Sequence, residues 1–283
     1  MRTFFLTLFL LACSPAVACA VSLSVIPQDP LQGEPVRVTI EEADIPSLKT
    51  LTFAGKKVGL FLYQGKPTAL IPIDLNQQTG TYPLMVELRS GEKQTRMVTV
   101  RAREKISAPL GIPEKLGGNT PAAASNLVTN LSKDNATLSK LLVTLPPWWG
   151  ESFVFPLEST EVIDAYGYSR NTGSYTIAHK GTDFRAPSGT PVRAINGGIV
   201  RLARTFTVYG KLVAIDHGGG VGSLSLHLSD IRVKEGQKVR RGEVIGLSGE
   251  SGYATGPHLH LSVRINGISI DPMKFFALFE LVR

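Results

Sequence analysis

Cysteine is close to absent from this 283-residue chain: Cys13 and Cys19 are its only two thiols. Both fall in an N-terminus with the layout of an export leader. Arg2 supplies a short positive region, Phe4 to Ala12 an apolar core, and Ala18-Cys19-Ala20 a small-residue cleavage site before Val21. Cleavage there leaves no thiol, which excludes an intramolecular disulfide and requires any bound metal to take nitrogen and oxygen ligands. Long hydrophobic runs are also missing, and the leader's apolar stretch is too short to span a bilayer as a stable helix. A second processing route competes. Leu10-Leu11-Ala12-Cys13 resembles the lipobox of bacterial lipoproteins, with Cys13 as the lipidated residue, although Leu11 is not among that motif's favoured residues. Either route takes the protein out of the cytoplasm, to the periplasm or beyond.

Other absences narrow the chemistry. There is no His-Glu-x-x-His, so a helix-borne zinc protease motif is excluded. Neither Ser248 nor Ser251 sits in Gly-x-Ser-x-Gly, which argues against an esterase-type nucleophile. The glycine run Gly218-Gly219-Gly220-Val221-Gly222 lacks the Lys-Ser/Thr of a phosphate loop and reads as a flexible hairpin. No basic run interleaved with aromatics occurs, so the net charge of +7 points to an anionic polymer or membrane surface rather than to nucleic acid. With 43% hydrophobic and 19% charged residues the composition is that of a folded protein. Its length suits one large domain or two modest ones.

What is present falls into three stretches. Residues 21–105 read as short strands: Val36, Val38 and Ile40 alternate with Arg37 and Thr39, and Tyr82, Leu84, Val86 and Leu88 alternate likewise. Turn signals at Gln32-Gly33, Gly65-Lys66-Pro67, Thr79-Gly80 and Ser90-Gly91 recur at spacings suited to a small antiparallel sandwich. Residues 106–147 form a Gly/Pro-rich linker and a helical connector. Its helix is expected from Pro121 to Leu145, capped by Thr120 and stopped by Pro146-Pro147. Leu127, Leu131, Leu138, Leu142 and Leu145 fall near one face, and Asp134-Asn135 is a candidate break. Residues 148–283 are strand-rich, with candidate strands at 198–203, 211–216, 223–228, 243–247 and 258–265. The N-terminal region could cover a cleft in the C-terminal one or serve as a spacer that carries it.

All five histidines lie from His179 onward. His179 precedes Asp183 in His-Lys-Gly-Thr-Asp; His227 stands in Ser-Leu-Ser-Leu-His-Leu; His258 and His260 stand in Gly-Pro-His-Leu-His-Leu. Two imidazoles and a carboxylate make a catalytic zinc set, because three protein ligands leave a fourth position open. His179, Asp183 and His260 could supply one, with His227 and His258 left for proton transfer. In 258–265 a strand period puts Leu259, Leu261, Val263 and Ile265 on one face and His258, His260, Ser262 and Arg264 on the other, toward a polar cleft. The same period puts Leu224, Leu226 and Leu228 on one face and Ser225, His227 and Ser229 on the opposite one. His217, at a strand end, is read as a turn or supporting residue.

These motifs resemble the lysostaphin-type, LytM-like zinc metallopeptidases that cut peptidoglycan peptides. That family's His-x-x-x-Asp, its middle His in Tyr-x-His-Leu, and its His-x-His are matched by His179 and Asp183, by His227, and by His258 with His260. Tyr166-Gly167-Tyr168, Gly189-Thr190-Pro191-Val192, Tyr209-Gly210, Gly236-Gln237-Lys238-Val239, Ile245-Gly246 and Asp271-Pro272 match as well. The resemblance covers roughly residues 150–275. It implies a mainly β chain, in which a small β-sandwich-like domain and a helical connector precede an antiparallel-sheet catalytic domain. It also implies one zinc held by His179, Asp183 and His260, with His227 and His258 acting on the water or the transition state; spacing does not say which is the general base. Ser225 replaces the family's usual Tyr, and by strand parity that would strip an aromatic wall from the cleft. The implied activity is a zinc endopeptidase of peptidoglycan. The rival classes are a non-catalytic wall-binding activator of another hydrolase and a general extracellular peptidase.

Overall fold

A computed structural model describes residues 21–141, 146–173 and 175–279. The leader, with Cys13 and Cys19, lies outside the described residues, as do Leu142 and Leu145 of the expected helical stripe. Strand is the predominant secondary structure among the described residues, and almost all pairing is antiparallel. Among the described residues no helix is long and apolar enough to cross a membrane.

Residues 22–100 build two four-stranded sheets. One runs Ser22–Ile26, Pro35–Glu41, Lys66–Pro72, Phe61–Tyr63 in spatial order, the other Lys56–Val58, Leu48–Phe53, Gly80–Leu88, Lys93–Val100. The alternating Val36, Val38 and Ile40 of one sheet and Leu84 and Val86 of the other are buried in a shared core, as period-2 patterning requires.

The C-terminal region is organised around a larger sheet. Its order is Val162–Asp164, Thr182–Arg185, His258–Ile265, Val221–Leu228, Gly210–Gly218, Gly198–Phe206, Lys238–Val239. Leu259, Leu261, Val263 and Ile265 project into one apolar core with Val213, Val221 and Phe275. This core continues to the N-terminal sandwich. Trp149 packs against Phe61, Tyr63, Phe153 and Phe279 with ring centroids 4.8–5.5 Å apart; such aromatic contacts are each worth about 0.5–1.5 kcal/mol beyond area burial. At the edge of this junction Arg103 pairs with Asp271 at 2.8 Å, and Tyr166 donates to the Ser269 carbonyl at 2.8 Å.

The opposite face of the sheet is covered by the helix Pro121–Leu138. Thr120 caps it, its Oγ1 accepting from Ala123 N at 3.2 Å, and Pro121 occupies the first turn. The helix stops at Leu138, short of the expected Leu145. It does not break at Asp134 either. That residue is buried facing the sheet, and its carboxylate accepts from the Val208 amide at 2.7 Å, so its polarity serves a tertiary contact rather than a turn. Leu138 packs with Leu202, Phe206, Leu212, Leu224 and Leu226.

Two strand-parity expectations need correction. Leu224, Leu226 and Leu228 do not share a face: Leu224 and Leu226 lie under the helix, whereas Leu228 lies in the opposite core with Val213 and Leu261. The cause is His227, whose φ of 61° is left-handed, at a point where pairing with the neighbouring strand slips between Lys211 and Val213. One extra residue in a strand resets the alternation beyond it. Ser225 therefore stands opposite Leu261 on the apolar face, buried, and is no wall of the cleft. On the His258–Ile265 strand the polar face is as expected, but only its first half reaches the cleft. Ser262 is buried, donating to the Lys180 carbonyl at 2.9 Å, and Arg264 lies beneath the helix end, donating to Leu138 O at 3.4 Å. The glycine hairpin is also packed rather than loose. A side chain on Gly218 would meet the Pro146 carbonyl at 2.4 Å.

Because the helix seals one face of the sheet, replacing Leu138 with Ala should destabilise the protein by about 2–5 kcal/mol. Asp134→Ala, which strands the Val208 amide, should cost on the order of 1–3 kcal/mol. Urea unfolding of the purified chain measures both, and unchanged midpoints would show that the helix is not part of the folded unit.

Candidate active site

The site forms where two neighbouring strands set Asp183 directly opposite His260. His179 reaches the same point from the turn that precedes Thr182–Arg185. Its backbone is pinned by a hydrogen bond from His179 N to Tyr168 O at 2.8 Å and another from Gly167 N to His179 O at 2.8 Å. Gly181 permits the turn to cross so closely: a Cβ there would lie 2.3 Å from His260 Nε2 and 2.6 Å from the Leu261 carbonyl. His179 Nε2 lies 3.0 Å from Asp183 Oδ1 and 3.0 Å from His260 Nδ1, and the last two are 2.7 Å apart. Donor atoms of the three residues all fall within 4.8 Å of one another, and His179 and Asp183 are buried.

His227 and His258 stand beside this trio. The His227 ring centroid is 4.9 Å from that of His258 and 6.1 Å from that of His260. Backbone carbonyls orient three of the rings: His179 Nδ1 meets Ala165 O at 2.9 Å, His227 Nδ1 meets Ser251 O at 2.8 Å, and His258 Nδ1 meets Gly256 O at 2.8 Å. A carbonyl only accepts, so each Nδ1 carries the proton and each Nε2 keeps its lone pair for the site. His260 instead turns Nδ1 inward.

Electrostatics match this division. Burial pushes His260 down to about 4 despite the neighbouring Asp183 carboxylate. Burial, reinforced by His258 and His260, pushes His227 down to about 3. Burial works to raise Asp183, but the His260 and His179 imidazoles outweigh it and hold its carboxyl well below the usual range. Near neutral pH His260 is thus a neutral imidazole and Asp183 an ionised carboxylate, the forms that bind a metal ion.

Sequence reasoning singled out His179, Asp183, His260, His227 and His258, and the fold brings all five together. It missed Asp164 and Arg170. Arg170 Nη2 lies 2.8 Å from Asp183 Oδ2 and 2.5 Å from Asp164 Oδ2, behind the trio. Arg170 follows Tyr166-Gly167-Tyr168 closely, but a lone Arg in a short strand carries no spacing signal. His217 proves to be a core residue. It is fully buried, with Nδ1 on Gly197 O and Nε2 on Ser223 Oγ, each at 2.8 Å, and burial pushes it down to about 4. Tyr209 is bonded to Asn135 of the helix at 2.7 Å, and Asp271 caps the short helix Pro272–Ala277.

Residues 177–272, which hold every one of these histidines and Asp183, match the model of peptidase family M23. The chain carries an M23 peptidase domain. Over 96 residues the chain is 48% identical to peptidoglycan DD-endopeptidase ShyA of Vibrio cholerae, a match covering 34% of this chain and 22% of that protein. Over 120 residues it is 43% identical to DD-carboxypeptidase/endopeptidase Mpg of Neisseria meningitidis, covering 42% of this chain and 28% of the relative. The chain thus spans about a quarter of the length of these curated relatives. A crystal structure from Pseudomonas aeruginosa assigned to peptidase M23 superposes with a TM-score of 0.63 at 26% identity. That match covers 89% of this chain and 96% of the other, so the likeness extends beyond the M23 domain into the N-terminal sheets and helix.

Two outcomes follow from this geometry. Gly181→Ala should push His260 out of the trio and weaken metal binding about tenfold or more, measurable by competition with a chelating dye. His217 is protonated in the unfolded chain below its ordinary pKa of about 6.5 but in the folded M23 domain only near 4. Its stabilising effect is therefore full above about pH 6.5 and lost as pH falls toward 4, on the order of 3 kcal/mol. Urea midpoints of metal-free protein should drop across that window, with a shallower drop in His217→Gln.

Proposed function

We propose that the chain is an exported zinc metalloendopeptidase that hydrolyses peptide bonds in the stem or cross-link peptides of bacterial peptidoglycan. The observation that carries this is the convergence of His179, Asp183 and His260 on one point, with His227 and His258 alongside. Two nitrogens and one carboxylate oxygen, without thiolate, form the donor set of a hydrolytic zinc centre. Their mutual separations of 2.7–3.0 Å are close to the roughly 3.3 Å expected between donors on one tetrahedral ion. When bound, zinc supplies Lewis-acid polarisation and makes water a nucleophile near neutral pH.

The chain's own residues do the rest. His227, kept neutral by burial, leaves Nε2 unprotonated toward the site, and His258 presents a second Nε2. Together they take the proton of the attacking water, return one to the leaving amine, and, when charged, stabilise negative charge on the carbonyl oxygen. The names of the relatives support peptidoglycan as substrate, the net charge of +7 suits an anionic polymer, and the leader supports export to the envelope. A lipid on Cys13 would tether the protein there without a membrane-spanning helix.

Mass spectrometry of peptides released from purified sacculi tests activity and bond choice together. Purified protein should hold one zinc. Asp183→Ala and His260→Ala should lose metal and activity together. His227→Ala and His258→Ala should keep zinc yet slow by about two orders of magnitude. A zinc-loaded parent that releases no fragment from sacculi would remove the peptidoglycan reading.

A further inference from the structure

Arg170 bridges two carboxylates that the sheet forces together. Asp164 and Asp183 are register partners on adjacent strands, and like charges directly opposite each other repel. The guanidinium contacts Asp183 through Oδ2 only, while Oδ1 of the same carboxylate faces His179 and His260. Arg170 is itself fixed. Its strand, Ser169–Asn171, is the middle of a three-stranded sheet, antiparallel to Thr176–Ala178 and parallel to Ser107–Pro109 from the connector. Asn171 Nδ2 adds a bond to Ser107 Oγ at 2.6 Å. Among the described residues its buried Nε has no partner, so the side chain is held for its contacts with the two carboxylates.

We infer that Arg170 is a positioning residue that restricts Asp183 to one metal-facing oxygen and thereby keeps a coordination position open for substrate or water. This rests on the metal reading above. A carboxylate released from such an ion pair can rotate and present both oxygens to a cation. The second oxygen would then join the water on the metal, raising coordination from four to five and crowding the position where the substrate carbonyl must bind. Loss of Arg170 should therefore impair turnover without impairing metal retention, because removing a cation beside Asp183 does not weaken the carboxylate as a ligand.

Cobalt substitution of the full chain tests this, since visible absorption of cobalt weakens severalfold as coordination rises from four to five. The parent should bind one cobalt with an intense band. Arg170→Met should bind cobalt equally well, show a severalfold weaker band, and lose about tenfold or more in kcat with little change in KM. Arg170→Lys should recover part of both. Asp164→Asn, which removes the second anchor while conserving shape, should shift the band the same way and serves if the Met variant does not fold. An unchanged band and rate in Arg170→Met, or in Asp164→Asn where that variant stands in, would overturn the inference. So would loss of the metal. Failure of the parent itself to bind cobalt one-to-one would instead count against the metal site.

Discussion

The register between Thr182–Arg185 and His258–Ile265 is the constraint on which the site depends. A shift of one residue would turn His260 from beside Asp183 into the apolar core and bring a leucine in its place. That register is held from the apolar side, where Leu259 and Leu261 are completely buried with Phe184. It is held from the polar side by Ser262, which ties the strand to the Lys180 carbonyl. Gly181, lying between His179 and Asp183, lets the chain pass against the His260 ring. The positions of the three candidate ligands are thus secondary to the packing of residues that carry no chemistry.

Much of the site was readable from the chain alone because histidines are few and period-2 alternation on the His258–Ile265 strand is uninterrupted. His258 and His260 had to share a face opposite Leu259 and Leu261, and they do. The alternation argument failed at His227, because a bulge depends on pairing with a partner strand and leaves no mark in local composition. His227 does stand beside His258, but the left-handed turn at His227, not parity, aims the ring there. The same bulge removes Ser225 from the cleft. Asp164 and Arg170 escaped notice because their contact with Asp183 arises only from the pairing of short strands, which local composition does not record.

The helix and sandwich were readable as elements but not as neighbours. Periodicity placed Leu127 and Leu138 on one side of a helix, and Thr120 at its start. It could not show that Asp134 would find its partner in Val208, far along the chain. Nor could the segment between sandwich and helix be seen as a strand. Ser107–Pro109 joins the sheet that carries Arg170, so the connector is part of the wall behind Asp183 rather than a tether.

The two tryptophans are adjacent in sequence and occupy opposite environments. Trp149 is locked among aromatic rings from both the sandwich and the C-terminal region, whereas Trp148 is half exposed beneath Lys238. Intrinsic fluorescence of this protein is therefore the sum of one emitter in an apolar seam and one in water. If the sandwich lifts from the sheet, Trp149 gains water first and the emission moves to the red while the catalytic strands stay paired. The seam between the two halves carries its own optical label.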